Sequence, residues 1–133
     1  MRRDESRRGS TLIEFTLVFL VLLAISVGAM EGARAVWTYM TLAHAARDAS
    51  RYAMVRGGAT PISTEELRAY LLARAPGIDS ESLEALLLWE PDSSAGSAVE
   101  VQLSYSFAFT ASPLFLSESG LTLSTSSRAL IAK

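Results

Sequence analysis

The residue whose type and position most clearly suggest a chemical role lies near the N-terminus. Glu14 interrupts an apolar segment that contains Leu12, Ile13 and sixteen uncharged residues, 15–30. A carboxylate is costly in an apolar environment unless a cation neutralises it. Glu14 therefore predicts either an ion pair with a partner or a position from which its side chain reaches the water interface.

Other catalytic or metal-binding groups are scarce. The chain contains no cysteine, which excludes disulfides, thiolate metal sites and a cysteine nucleophile. His44 is the single histidine, and no carboxylate pair flanks it at ligand spacing. No serine has a plausible base, and Asp79, Glu81 and Glu84 are typical of a charged turn. The sequence predicts a protein that is not an enzyme and that holds no cofactor and no metal.

The composition limits both size and partners. A chain of 133 residues has room for one small domain, and 50% of its residues are hydrophobic. The net charge of −2 does not fit a nucleic-acid-binding protein, which would normally contain a basic domain. We expect no nucleic-acid partner and no small-molecule substrate.

The apolar segment predicts one membrane-spanning helix over residues 10–31. Twelve residues between Leu12 and Met30 are Leu, Ile, Val or Phe, which favour insertion by about 4–7 kcal/mol. This outweighs an acidic side chain near one end of the span, and Trp37 follows where an interfacial aromatic would lie. The leader, residues 1–9, contains four arginines and two acids. The positive-inside rule then places the N-terminus in the cytoplasm and everything after Met30 outside.

A secretory signal peptide is the first alternative to a membrane anchor. Residues 27–29 and 33–35 contain small residues at the spacing of a cleavage site. However, the apolar segment is longer than the usual 7–15 residues and contains a carboxylate. The helical pattern also continues past both sites, so we favour an anchor.

The residues around Gly9 resemble the processing site of type IV prepilins and pseudopilins. A basic leader ends in Gly9, Glu14 follows five residues later, and the aromatic Phe15 comes next. The resemblance implies that a prepilin peptidase cuts between Gly9 and Ser10 on the cytoplasmic side. It also implies that Glu14 is the assembly carboxylate, which pairs with the new amine of a neighbouring subunit and sets its register. The alternative is that Glu14 merely reaches the cytoplasmic interface.

A second segment narrows the resemblance. Residues 43–53, AHAARDASRYA, are similar to the segment after the membrane helix in TadE-like proteins, minor pseudopilins of the tight-adherence (Tad) pilus system. Arg47, Arg51 and Tyr52 match that pattern. The resemblance implies a role for these residues in assembly or in domain packing. Their spacing alone is equally typical of a solvated helix face with weak ion pairs.

The membrane helix continues outward over residues 32–57. No proline occurs between residues 11 and 55, and Gly57 follows as a stop signal. Ala24, Gly28 and Gly32 recur every four residues, which is typical of close helix packing in membranes but weak as a lone motif. A second ladder, formed by Ala45, Ala49 and Ala53, predicts packing against the protein's own strands.

Residues 58–133 predict a small α+β head. Ser63 and Glu66 form a candidate capping box before a short helix that ends at residues 76–77. Residues 99–110 alternate between apolar and polar, which predicts a strand, and residues 121–131 predict a weaker one. Residues 83–89 fit a strand or a helix, and we favour a strand. The expected fold class is α+β, pilin-like, with the outer half of a long N-terminal membrane-spanning helix packed against a small antiparallel sheet.

Two functions follow. The first is a minor pilin-like (pseudopilin) subunit of a Tad-type pilus or secretion apparatus in the bacterial inner membrane, which can be incorporated into a surface pilus. Its expected partners are other Tad pilins and minor pilins, a prepilin peptidase, the inner-membrane assembly platform and membrane lipid. The second is an unprocessed, single-pass membrane-anchored adaptor with an extracytoplasmic binding domain.

Overall fold

A computed structural model describes residues 2–57, 60–110 and 120–131, with side chains from residue 9 onward. Two helices precede three strands: α1 (Arg2–Arg56), α2 (Thr64–Arg74), β1 (Leu83–Glu90), β2 (Ala98–Phe107) and β3 (Leu121–Leu130). The chain divides into two compact units, Met1–Arg34 and Ala35–Lys133. The first unit contains only helix. The second contains the rest of α1 and the head.

Helix α1 is longer than the sequence predicted. It begins at Arg2 rather than at residue 10, because the polar leader contains no residue that breaks a helix. Its last turn closes where the N–H of Gly57 donates to the carbonyl oxygen of Ala53, 2.9 Å away. The predicted stop at Gly57 is therefore confirmed.

The three strands form one antiparallel sheet in the order β1-β2-β3. Leu83 faces Tyr105 across β1 and β2, and Val101 faces Ser127 across β2 and β3. Residues 83–90 are thus a strand, as favoured. Strand β2 ends at Phe107 rather than at residue 110, because β3 begins opposite Phe107 and provides no ladder partner beyond it.

The core of the second unit lies between the two helices and one face of the sheet. Leu42, Ala49 and Ala53 of α1 are buried together with Leu67 and Leu71 of α2. The sheet contributes Leu83, Val99, Val101 and Leu103, which alternate with outward-facing polar residues. The predicted α+β fold, with the outer part of the long helix on a small antiparallel sheet, is confirmed.

The capping box before α2 forms only in part. Ser63 Oγ accepts the N–H of Glu66 at 3.2 Å, as predicted. The Glu66 carboxylate does not return to the Ser63 backbone. It accepts instead from the Arg56 guanidinium at 2.6 Å, so the charge of a residue distant in sequence wins over the local amide.

Candidate functional site

The predicted processing site lies on an exposed stretch of α1. Gly9 and Ser10 are helical and exposed, and a Cβ placed at Gly9 would meet no atom within 4 Å. Phe15 is 68% exposed and stacks on Phe19 along the same helix, with ring centroids 6.1 Å apart. Among the side chains that the structure describes, from residue 9 onward, none covers these residues.

Glu14 differs from the other polar side chains of the apolar segment. The hydroxyls of Thr16 and Ser26 donate to the carbonyl oxygens four residues earlier, each at 2.8 Å, which satisfies them within the helix. Among the side chains described, none forms a hydrogen bond or ion pair with Glu14, and its residue is exposed. In an apolar medium this carboxylate needs a cation from elsewhere.

The small-residue ladder is equally uncovered. Ala24, Gly28 and Gly32 are exposed, and a Cβ at either glycine would meet no atom within 4 Å. The fold of this chain therefore does not need glycine at these positions. Their use as a helix-packing face stays a prediction.

The TadE-like segment divides between two faces of α1. Ala46, Ala49 and Ala53 are fully buried against the head. Ser50 lies beside them, and its hydroxyl is 3.0 Å from the hydroxyl of Ser127 in β3. Small side chains here allow the helix to approach the sheet closely, which confirms the predicted packing of this alanine ladder.

Arg47 and Arg51 lie on the other face. Both are exposed, and neither side chain has an ion-pair or hydrogen-bond partner within the described part of the chain. Asp48, although adjacent in sequence, pairs with neither arginine. The structure thus gives these arginines no part in packing the head, which separates the two roles that the resemblance left open.

Tyr52 connects the end of α1 to α2. Its ring stacks on that of Tyr70 with centroids 4.1 Å apart. Arg56 lies over the Tyr52 ring at 4.5 Å, and Arg74 lies over the Tyr70 ring at 4.2 Å. The same Arg56 pairs with Glu66. This stack, in which two rings lie between two cations, orients α2, and it makes Tyr52 a packing residue.

Sequence reasoning did not find this stack. The sequence patterns single out neither Tyr70 nor Arg56 as a partner of Tyr52. No local period links residues 18 positions apart. The available signal was the family match of Tyr52 together with a second tyrosine in the next predicted helix.

The described residues contain few groups with possible catalytic or metal-binding chemistry. His44 is exposed, and the described residues contain no group of three His, Cys, Asp or Glu arranged to hold a metal ion. An open depression of about 520 Å³ lies on the outer face of the sheet, lined by residues that include Glu84, Leu86, Gln102 and Ser126. It contains carboxylate and hydroxyl groups without a base positioned to activate them.

One carboxylate has a perturbed pKa, and its cause is a turn. Asp92 accepts hydrogen bonds from the hydroxyl and the backbone N–H of Ser94 and from the hydroxyl of Ser97. These donors favour the ionised form and lower the pKa of Asp92 below its ordinary value of 3.8. The group orders the connection between β1 and β2 and has no catalytic neighbour.

Comparison with known proteins bears on the long helix. The family model of TadE-like proteins matches residues 9–51. No curated protein and no solved structure matches the chain. The part of α1 from Gly9 to Arg56 is long and apolar enough to cross a membrane, which is consistent with a single-pass anchor. Over residues 9–51, which contain Glu14, Arg47 and Arg51, the chain is therefore similar to TadE-like proteins.

Proposed function

We propose that this protein is a minor pilin-like subunit of a Tad-type pilus or secretion apparatus, matured by a prepilin peptidase. The observation that carries the proposal is Glu14, a carboxylate without a partner in an uncovered apolar helix, five residues after a glycine. In a simple membrane anchor such a charge would only disfavour insertion. In an assembling subunit the charge can pair with a partner and fix the register between subunits.

Maturation would create the missing cation. The leader, with its four arginines, holds the N-terminus inside the cytoplasm. Hydrolysis of the bond between Gly9 and Ser10 releases the leader with a carboxylate on Gly9 and leaves an ammonium on Ser10. This ammonium lies four residues before Glu14, about 6 Å along a helix. In parallel helices shifted along their axes, the amine of one subunit then meets Glu14 of the next and neutralises it.

The proposed partners follow from what the helix leaves uncovered. The apolar side chains from Leu12 to Ile25 require membrane lipid or the helices of other Tad pilins and minor pilins. The ladder of Ala24, Gly28 and Gly32 would be the place where a neighbouring helix comes closest. The prepilin peptidase and the assembly platform of the inner membrane would act on the same segment before the head leaves the outer side of that membrane.

Mass spectrometry of the intact protein extracted from membranes tests the proposal. We expect a chain that begins at Ser10. A chain that retains Met1, or one that begins near Met30, would show that no prepilin peptidase acts on it. The second of these results would indicate a secretory signal peptide instead.

An unprocessed adaptor is the second candidate function. The outer face of the sheet favours it, because Leu86 is exposed there in the lining of the open depression. Such a protein would retain its leader and remain in membrane fractions. A pilin-like subunit would begin at Ser10 and occur also in the surface material released by shearing.

A further inference from the structure

The face of α1 opposite the head carries an uncovered stripe. We call Val36, Met40, Arg47, Arg51 and Val55 the outward stripe. Its three apolar members are 56%, 57% and 79% exposed, respectively. At about 100° per residue these five positions lie within one third of the helix circumference, on the side away from Ala49 and Ala53. The head therefore leaves these five positions exposed.

The chemistry of the outward stripe is that of a protein interface. Arginine and methionine are enriched at such interfaces, where an apolar patch surrounds a few charges that fix the orientation. Arg47 and Arg51 lie one turn apart, and no carboxylate of the described residues pairs with either. The stripe thus offers two adjacent cations with apolar contacts on both sides along the axis.

Lipid headgroups are a poor match for these cations. Arg47 and Arg51 follow Trp37, the interfacial aromatic, by ten and fourteen residues, or about 15 and 21 Å along the helix. An arginine side chain reaches a headgroup by extending its apolar stem towards it, so the residue must lie near the membrane boundary. A protein carboxylate is the better partner at this level.

The head of the same chain carries complementary charge. Residues 60–131 contain nine carboxylates and three arginines. All three arginines are engaged within the head: Arg68 donates to the Ser80 carbonyl oxygen, Arg74 covers the Tyr70 ring, and Arg128 pairs with Glu90 at 2.9 Å. The head is therefore acidic on balance, whereas the outward stripe is basic.

The excess acid is concentrated at one end of the sheet. We call Asp79, Glu81 and Glu84 the acidic rim, and all three are exposed. The turn before it packs against α1 at Trp37: Gly77, at φ +82°, lies so close that a Cβ there would be 3.3 Å from the Trp37 ring. Measured along the axis of α1, the acidic rim therefore lies at the level of Trp37, which is closer to the N-terminal end of the helix than Arg47 and Arg51.

We infer that the outward stripe of one copy docks against the acidic rim of a second copy of this chain. The second copy is parallel and is displaced along the helix axis by about 15–21 Å. The contact is head-to-tail, so it repeats and builds along the axis instead of closing into a dimer. The inference rests on the proposed function, since only a filament or its membrane precursor holds parallel copies at such a displacement.

Cysteine cross-linking tests the contact directly, because the chain contains no cysteine of its own. Two differently tagged full-length copies are expressed together in membranes, one with Arg47→Cys and the other with Glu81→Cys. A short thiol-reactive cross-linker should join the two tags. The matched control replaces Glu81→Cys with Ala69→Cys, an exposed position on α2, and should give at least about tenfold less product.

Charge exchange provides the second arm. In this experiment Val55→Cys replaces Arg47→Cys on the first copy, and Glu81→Cys stays on the second. Both arginines of the first copy can then be substituted. Arg47→Glu with Arg51→Glu should reduce the product about three- to tenfold, because two exposed ion pairs become repulsive contacts. The partner copy carries Glu81→Cys and retains the Glu84 carboxylate. Glu84→Arg on that copy should restore part of the lost product, because its cation would face the introduced glutamates. All these positions are exposed, so the thermal unfolding of the head should not change.

Each result decides between the alternatives. Failure of the Arg47–Glu81 pair to exceed its control, an absence of any charge effect, or capture of a different protein by Arg47→Cys would each overturn docking between copies. The N-terminal residue is measured in the same samples. A Ser10 start without cross-linking would reject the docking alone, whereas cross-linking of chains that retain Met1 would reject the processing and leave the docking supported.

Discussion

The two parts of α1 have similar helical geometry but opposite relations to the rest of the chain. In the first unit the large apolar side chains from Leu12 to Ile25 are exposed, and the fold gives them no cover. In the second unit one face of the helix is buried, with Leu42 and Ala49 at 1% and 0% exposure, while the opposite face stays open. The comparison shows that the described residues cover one face of α1 in the second unit and leave the apolar side chains of the first unit exposed. Under the proposed function, lipid or other subunits would cover those side chains.

Small residues sharpen this contrast. At Gly28 and Gly32 an added Cβ would meet nothing, so the small side chains there leave space for something outside the chain. At Ala46 and Ala49 the space is already filled by the head. Small residues are therefore uncovered in the first unit and packed against the head in the second.

Replacement of Gly9 should have the largest effect. Gly9→Leu should abolish the species that begins at Ser10, because the peptidase must accommodate this side chain, while the open surroundings of Gly9 leave the helix intact. Intact-mass spectrometry measures the outcome. Gly32→Leu, which is equally open, is the control and should be cut normally. Normal cleavage of both variants would show that Gly9 does not define the site.

Glu14→Gln comes next, because it removes the charge with little change in shape. We expect cleavage to continue and recovery in sheared surface fractions to fall at least about tenfold. An amine left without its carboxylate in apolar surroundings costs more than 1.4 kcal/mol, which is a factor of ten. Glu65→Gln, at an exposed position on α2, is the control. Unchanged recovery of Glu14→Gln would remove the pairing role.

Leucine at two alanine positions compares the units directly. Ala49→Leu should lower the free energy of unfolding of the head by about 1–3 kcal/mol, because the enlarged side chain has no space between α1 and the sheet. Ala33 lies on an exposed part of α1, so Ala33→Leu should change the free energy of unfolding of the head by less than about 0.5 kcal/mol. Urea unfolding of the full chain in detergent, followed by tryptophan fluorescence, measures both. Equal effects would contradict the division into two units.

Tyr52→Ala should destabilise the head by about 1–3 kcal/mol in the same assay. It removes the ring between Arg56 and Tyr70 and thereby loosens α2. Tyr52→Phe retains the stacked ring and loses only a long hydrogen bond of 3.4 Å to Glu66, so its effect should be close to zero. A double-mutant cycle with Tyr70→Ala should show coupling of about 0.5–1.5 kcal/mol. Strict additivity would mean that the two rings act independently.

The smallest effect concerns Asp92, an exposed group at a turn. Because its folded-state pKa is lowered, its ionised form stabilises the head above the ordinary pKa of 3.8, and this contribution disappears as the pH falls through the folded-state pKa. A carboxyl NMR titration should find the pKa of Asp92 below 3.8. Ser94→Ala should raise it towards the ordinary value, since that serine supplies the largest cause. A pKa that Ser94→Ala leaves unchanged would assign the shift to another source.

Much of the fold followed from local patterns. The alternation in residues 99–107 predicted β2, the alanine ladder predicted the buried face of α1, and Ser63 marked the start of α2. Local patterns did not reveal that Glu66 pairs with Arg56, because charge attraction between elements overrides the nearby backbone amide. Local patterns also predicted a β2 that was three residues too long at its end, residue 110 instead of Phe107. Alternation within β2 contains no information about where its neighbour β3 begins.

The sequence by itself determined the long apolar helix, the isolated carboxylate at Glu14 and the TadE-like pattern, because hydropathy, charge and spacing are properties of neighbours along the chain. Only the tertiary structure decided which side of that pattern faces inward. It buried Ala46, Ala49 and Ser50 against the sheet and left Arg47 and Arg51 outside. The physical reason is that only one face of α1 packs against the head. Contacts between residues far apart in sequence determine which face that is.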